Sequence, residues 1–186
     1  MSDEPLRPWT VRSSSYRVDE PFLRVRSDTV ELPDGTVIEG YFVRESRGFA
    51  IVAALTPERR IVLVRQYKHG IGQIVLELPA GMIDAGESPD ETAPRELTEE
   101  TGFSAGRLIA LGELRPNPSF MNNRCFTFLA EDLSRVGATS LDELEELESL
   151  VVGSREVEER MGTGELVNAL TFVALALYRR YRTERA

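Results

Sequence analysis

Glu96, Glu99 and Glu100 stand at positions i, i+3 and i+4, a spacing that sets three carboxylates on one face of a helix. Like charges so placed cost an isolated helix a few tenths of a kcal/mol per pair, roughly 0.2–0.5. A divalent cation is the simplest compensation. Hard oxygen ligands of this kind suit Mg²⁺ or Mn²⁺, which bind through a few carboxylates together with phosphate and water. Zinc is disfavoured, because the chain has one cysteine, Cys125, and one histidine, His69. An isolated E-x-x-E-E is usually a solvated charged face, so the flanking residues decide the reading. Arg95 adjoins the carboxylates, Glu87 lies before the helix as an ion-pair partner that would fix the incoming loop, and Gly81 lets the backbone turn sharply.

The helix that must present this face is bounded by its own sequence. Ser88 can serve as N-cap, Pro89 is tolerated at the first helical position, and Asp90 and Glu91 complement the dipole. The spacing predicts a helix to Thr101 with Gly102 as its stop. Ala93 and Leu97, four apart, supply a packing face. Pro94 removes a backbone donor inside it and is expected to kink or delay the regular helix.

Gly81, Glu87, Arg95-Glu96-Leu97, Glu99-Glu100 and Gly102-Phe103 satisfy every position of the pattern G-x5-E-x7-R-E-U-x-E-E-x-G-U, with U apolar. On these residues the chain resembles the Nudix hydrolases. Val64-Arg65-Gln66-Tyr67-Lys68, Glu77-Leu78-Pro79-Ala80-Gly81, Asn117-Pro118 and the acidic Leu141–Glu148 run extend the likeness to the ADP-ribose and nucleoside-diphosphate-sugar pyrophosphatases. The resemblance implies an α/β fold, an α/β/α sandwich with a mixed sheet, plus a small N-terminal antiparallel sheet that builds a homodimer. It implies metal held by Glu96, Glu99, Glu100 and the carbonyl of Ala80, with Glu99 and Glu100 catalytic. It also implies a general base from a late loop, for which Glu143, Glu145 and Glu146 are candidates and Glu148 a weaker one.

By the same likeness Arg65 would clamp phosphate or ribose and Tyr67 would shape the base site. Pro118 and Phe120 would contact substrate from the Pro- and Asn-rich loop Arg115–Asn123, because such loops held between strands often carry binding groups. The implied reaction is Mg²⁺-dependent hydrolysis of the pyrophosphate bond of a nucleoside diphosphate sugar, ADP-ribose first. After the loop proline the chain has Ser119-Phe120-Met121-Asn122-Asn123-Arg124 in place of a small and acidic pattern, which keeps a GDP-sugar or ADP-glucose open as substrate. A non-catalytic ADP-ribose-binding sensor is the alternative from another class; it would be expected to lack some of the carboxylates.

Around this segment the chain alternates short apolar runs with turns. Phe22–Arg26, Asp28–Leu32 and Val37–Val43 read as strands, with Asp34-Gly35 as a hairpin signal. Ala50–Leu55 and Ile61–Val64 read as buried strands and Ile74–Pro79 as a further short one. Arg107–Leu114 and Arg124–Ala130 are strand candidates, Val151-Val152 a possible strand end, and Ser154–Met161 and Leu166–Tyr181 helices. The division expected is residues 1–47 as a dimerising β unit and 48–186 as the hydrolase domain.

At 186 residues, 41% hydrophobic and 28% charged, the chain has ordinary globular usage. A net charge of −9 argues against nucleic acid or an anionic membrane as partner, since both need a cationic field. It also means that an anionic substrate must be met by metal. A single cysteine allows no intrachain disulfide, the N-terminus carries no secretory pattern, and the longest apolar stretch is too short to span a bilayer, so the expected compartment is the cytoplasm. His69 reads as a turn residue and Cys125 as a small core residue.

Overall fold

The computed structural model describes residues 5–141 and 146–185. The chain divides into two compact units, one running through Ser46 and including Arg115–Asn123, the other comprising Arg47–Leu114 and the chain from Arg124 onward.

The first unit is a three-stranded antiparallel sheet, β1 (Thr10–Glu20), β2 (Leu23–Glu31) and β3 (Val37–Glu45), in that order. β2 runs unbroken where the sequence suggested two runs, because its polar centre is satisfied inside the sheet: Asp28 is buried and accepts from Arg26 Nε at 2.8 Å. β1 begins six residues ahead of Tyr16; its serines and near-continuous exposure carry no alternating signal. The β2–β3 hairpin turns at Asp34-Gly35, where Gly35 takes φ 86° and Asp34 Oδ1 accepts from Thr36 N at 2.9 Å. Arg115–Asn123 docks on β3: Arg44 N donates to Phe120 O at 2.8 Å and Ser46 N to Asn122 Oδ1 at 3.2 Å.

The second unit is built on a mixed sheet. It contains β4 (Phe49–Leu55), β5 (Ile61–Lys68), β6 (Gln73–Glu77), β7 (Ala80–Met82), the helix α1 (Pro89–Thr101), β8 (Phe103–Leu114), β9 (Cys125–Arg135), β10 (Leu147–Val152), and helices α2 (Ser154–Thr163) and α3 (Ala169–Thr183). The path is β10-β5-β4-β9-β8, with β4 and β9 parallel and the other pairs antiparallel. Strand residues alternate between two cores. Ala50, Val52, Ala54 and Val62 pack with Ala93 and Leu97 of α1, whereas Ile51, Ala53, Leu63 and Leu129 pack with Val157 of α2 and Leu175 and Tyr178 of α3. This is the three-layer α/β/α arrangement expected from the sequence.

One irregularity in the sheet creates the site. β4 and β5 are paired only at Ala54–Val62 and Leu55–Ile61, and then diverge. β6 takes over the edge of β5 and β7 the edge of β4, where Ala80 lies opposite Ile51. The segment from β6 to β7 is thus wedged into the split and faces α1.

Candidate active site

Helix α1 starts as its sequence predicts: the Glu91 carboxylate accepts from both the backbone N–H and the hydroxyl of Ser88, at 2.8 and 2.7 Å. Gly102 closes it at φ 71°, and its N–H donates to Thr98 O at 2.8 Å. Pro94 does not delay it. The carbonyl that proline leaves without a helical donor belongs to Asp90, in the exposed first turn, where water can serve.

Packing of Ala93 and Leu97 on the sheet drives the carboxylate face toward the β6–β7 wedge. Glu100 is 2% exposed, Glu96 8%, while the Glu99 side chain remains 39% exposed. Glu100 Oε2 accepts from Ala80 N at 3.0 Å. The Glu96 carboxylate lies against the α-carbon of Gly81, in the space a side chain on that residue would occupy. Glycine is therefore required at 81 by close approach and not by a turn, since its φ is not positive. Two buried carboxylates flank one peptide unit, Ala80-Gly81.

Arg95 organises the remaining anions. Its Nε and Nη2 bond the two oxygens of Glu87 at 2.8 and 2.9 Å, a bidentate pair, and its Nη1 lies 2.9 Å from both Glu96 and Glu99. Thr92 Oγ1 donates to Glu87 at 2.8 Å and Asp84 N at 3.2 Å. These bonds, those from Arg95 first, hold the Glu87 carboxyl at about 2, and Glu87 in turn pushes the Arg95 guanidinium above its ordinary value. The loop between β7 and α1 is pinned by this pair, the role expected of Glu87.

Among the described residues no three acidic side chains converge closely enough to grip an ion as placed: Glu96 and Glu99 turn toward Arg95, and Glu100 toward Ala80 N. The donor set nevertheless fits a divalent cation. It offers only oxygen, it buries two carboxyl groups beside Ala80 and Gly81, and the glycine lets Glu96 approach the backbone closely.

Arg65 and Tyr67 line a cavity of about 330 Å³ with Gln66, Ile74, Glu146, Leu147 and Glu148. Glu148 is not in a loop: β10 begins at Leu147, and Glu148 sits opposite Arg65 with Oε2 3.4 Å from Nη1. Glu146 lies at the lining of the same cavity. Glu143 and Glu145 lie outside the described residues. Pro118 and Phe120 belong to the first unit, where their loop is tied to β3. Asn122, one of the amides that stand in place of an acidic pattern after the loop proline, is engaged in that docking. His69 is an exposed turn residue and Cys125 is fully buried, which pushes its thiol up to about 12.

Sequence reasoning passed over one buried cluster. Glu77 accepts from Gln66 Nε2 at 2.6 Å and Asn168 Nδ2 at 2.7 Å and pairs with Lys68 Nζ at 2.5 Å. It joins the β5–β6 hairpin to the start of α3. A charged residue within an otherwise apolar run, Ile74 to Pro79, was the available signal.

The profile described as NUDIX domain matches residues 45–163, and that of the nucleoside diphosphate sugar hydrolase N-terminal domain matches residues 9–43. The chain is 34% identical over 149 residues to an ADP-ribose pyrophosphatase of Bacillus subtilis, covering 80% of each chain. It is 34% identical over 155 residues to an ADP-ribose pyrophosphatase of Mycobacterium tuberculosis, covering 81% of this chain and 73% of that one. A crystal structure of an ADP compounds hydrolase superposes with a TM-score of 0.86 at 25% identity, over 99% of both chains.

Proposed function

The chain belongs to the Nudix family, and on that premise we propose that it hydrolyses the pyrophosphate bond of a nucleoside diphosphate sugar, with ADP-ribose the preferred substrate, in a reaction that depends on Mg²⁺, for which Mn²⁺ can substitute. The observation that carries this reading is the burial of Glu96 and Glu100 on either side of Ala80-Gly81. With Glu99 and the Ala80 carbonyl they would hold the divalent cation. When bound, the cation supplies Lewis acidity, lowering the pKa of water and neutralising anhydride oxygens.

The protein's own groups do the rest. Arg95 holds Glu96 and Glu99 in position, and the Ala80 N–H orients Glu100. Arg65 contributes the positive charge for the substrate's phosphates: its pair with Glu148 is half exposed and 3.4 Å long, worth about 0–1 kcal/mol, so a phosphate can displace it. Tyr67, with half its ring exposed in the same cavity, offers an apolar face to base or ribose. A carboxylate among Glu143, Glu145 and Glu146 takes the proton of the attacking water. The water oxygen bonds to one phosphorus, the bridging P–O bond breaks toward the other phosphate, and AMP and ribose 5-phosphate leave. Pro118 and Phe120 are assigned to substrate contact.

The ADP-ribose pyrophosphatase names of two relatives support this choice of substrate; an intact carboxylate set supports catalysis over a purely sensing role. The three-stranded sheet leaves Val11, Tyr16, Val37 and Phe42 about half exposed, as is Trp9 just ahead of it, which supports a homodimer formed through this unit. No described helix is long and apolar enough to cross a membrane, and with a single cysteine the cytoplasm is the compartment inferred. Incubation with ADP-ribose, ADP-glucose, a GDP-sugar, dinucleotides and nucleoside triphosphates in Mg²⁺, with products separated by chromatography, tests the assignment. ADP-ribose should give the highest kcat/KM; a nucleoside triphosphate in first place would contradict it.

A further inference from the structure

At the end of β4 remote from Ala80, the turn Thr56–Arg60 and the last turns of α3 enclose a second cavity, of about 420 Å³, lined by Arg59, Arg107, Glu131, Tyr181, Arg182 and Arg185. We propose that it binds a small phosphorylated anion. Among the described residues, four guanidiniums and one carboxylate line it, in a chain whose net charge is −9. Glu131 lies 3.6 Å from Arg107 Nη1, which is long for an ion pair. Glu58, the carboxylate next to Arg59 in sequence, is engaged by the Thr56 side chain and does not line the cavity.

The arginines converge on neutral phenols. Arg59 Nη2 donates to Tyr178 Oη at 3.3 Å and Arg182 Nη1 to the same oxygen at 3.5 Å, while Arg107 Nη2 donates to Tyr181 Oη at 3.4 Å. Two cations sharing one uncharged acceptor repel each other, and an anion between them removes that repulsion. Tyr178, Tyr181 and Arg182 occupy one face of α3 at i, i+3 and i+4, and Arg185 follows just beyond its end. The Arg185 guanidinium lies 4.7 Å from the Tyr181 ring centre and that of Arg182 lies 5.9 Å from the Tyr178 ring centre, cation–π contacts that keep both beside the cavity.

Arg59 holds φ 60°, the left-handed position that closes the β4–β5 hairpin, where its N–H donates to Thr56 O at 2.8 Å and Thr56 N donates to Arg60 O at 2.9 Å. The α3 C-terminus opposes an anion with a partial charge of about −0.5, which four guanidiniums against one carboxylate outweigh. A cavity this size accommodates a small molecule, and planar guanidinium forks match phosphate oxygens.

The test is calorimetric titration in EDTA with orthophosphate, pyrophosphate and AMP as probes, against sodium chloride at matched ionic strength. Wild type and Glu100→Gln should bind at least one probe saturably and alike. Arg59→Gly, which the left-handed position accommodates, and Arg182→Gln should each weaken binding about tenfold without lowering the thermal midpoint. Tighter binding of AMP than of orthophosphate identifies a nucleotide's phosphate as the occupant, and the reverse identifies free phosphate. Absence of saturable binding beyond the chloride control, equal binding by the arginine variants, or binding lost in Glu100→Gln overturns the proposal.

Discussion

The Glu96 carboxyl group can be buried against the β6–β7 segment only because the residue it meets there, Gly81, has no side chain. Gly81→Ala would put a methyl group into the Glu96 carboxylate, and a displacement of about 1 Å at a reacting centre costs roughly a hundredfold in rate. Turnover of Gly81→Ala should fall by about that factor while circular dichroism stays native; wild-type turnover would refute the close-approach account. Glu87 gives a pH signature. Its carboxyl sits at about 2 in the folded chain against an ordinary 4.5, so its contribution to stability is complete above pH 4.5 and disappears as pH falls toward 2. The stability gap between wild type and Glu87→Gln should be constant from pH 5 to 7, shrink as pH falls below about 4.5 and close toward pH 2; denaturant unfolding from pH 7 down to pH 2 reads it. At this scale the sequence was highly informative. Residue identity and spacing named the carboxylates, Arg95 and its pairing with Glu87. They could not reveal why Gly81 is glycine or that Glu148 is drawn into a strand, since both depend on what a distant segment places alongside.

The helix α1 was legible to the residue at both ends because its stops are local: a capping serine with Glu91, and Gly102 in the left-handed region. Elements whose ends are set by tertiary partners were less so. α3 begins at Ala169 and not at Leu166, because Asn168 caps it, accepting from Leu170 N at 2.9 Å, and Leu166 is buried outside it. The same Asn168 holds Glu77, and Thr171 Oγ1 accepts from Leu78 N at 3.3 Å. The start of α3 thereby fixes the strand leading into Ala80. Asn168→Ala removes a cap and one partner of a buried carboxylate, and should cost about 1–2 kcal/mol in equilibrium unfolding. A loss of only a few tenths would mean that Lys68 and Gln66 suffice for Glu77.

For the whole molecule, hydrophobic alternation foretold strands and layers but not the split between β4 and β5 that admits the β6–β7 wedge, since divergence of two strands leaves no mark in either. The split matters most for function, as it brings Ala80 and Gly81 to the face of α1. The half-exposed aromatic and β-branched residues of the N-terminal sheet should be covered in a dimer, so sedimentation at micromolar concentration is expected to give twice the 20.8 kDa chain mass; a monodisperse monomer would rule this out. The most direct measurement of the central claim is phosphorus NMR of ADP-ribose incubated with Mg²⁺ and either wild type or Glu100→Gln. Wild type should convert the diphosphate signals into those of AMP and ribose 5-phosphate. Glu100→Gln should do so slower by at least about a hundredfold, the scale expected when an electrostatic catalytic group is removed. Undiminished conversion by Glu100→Gln, or no conversion by wild type, would contradict the account.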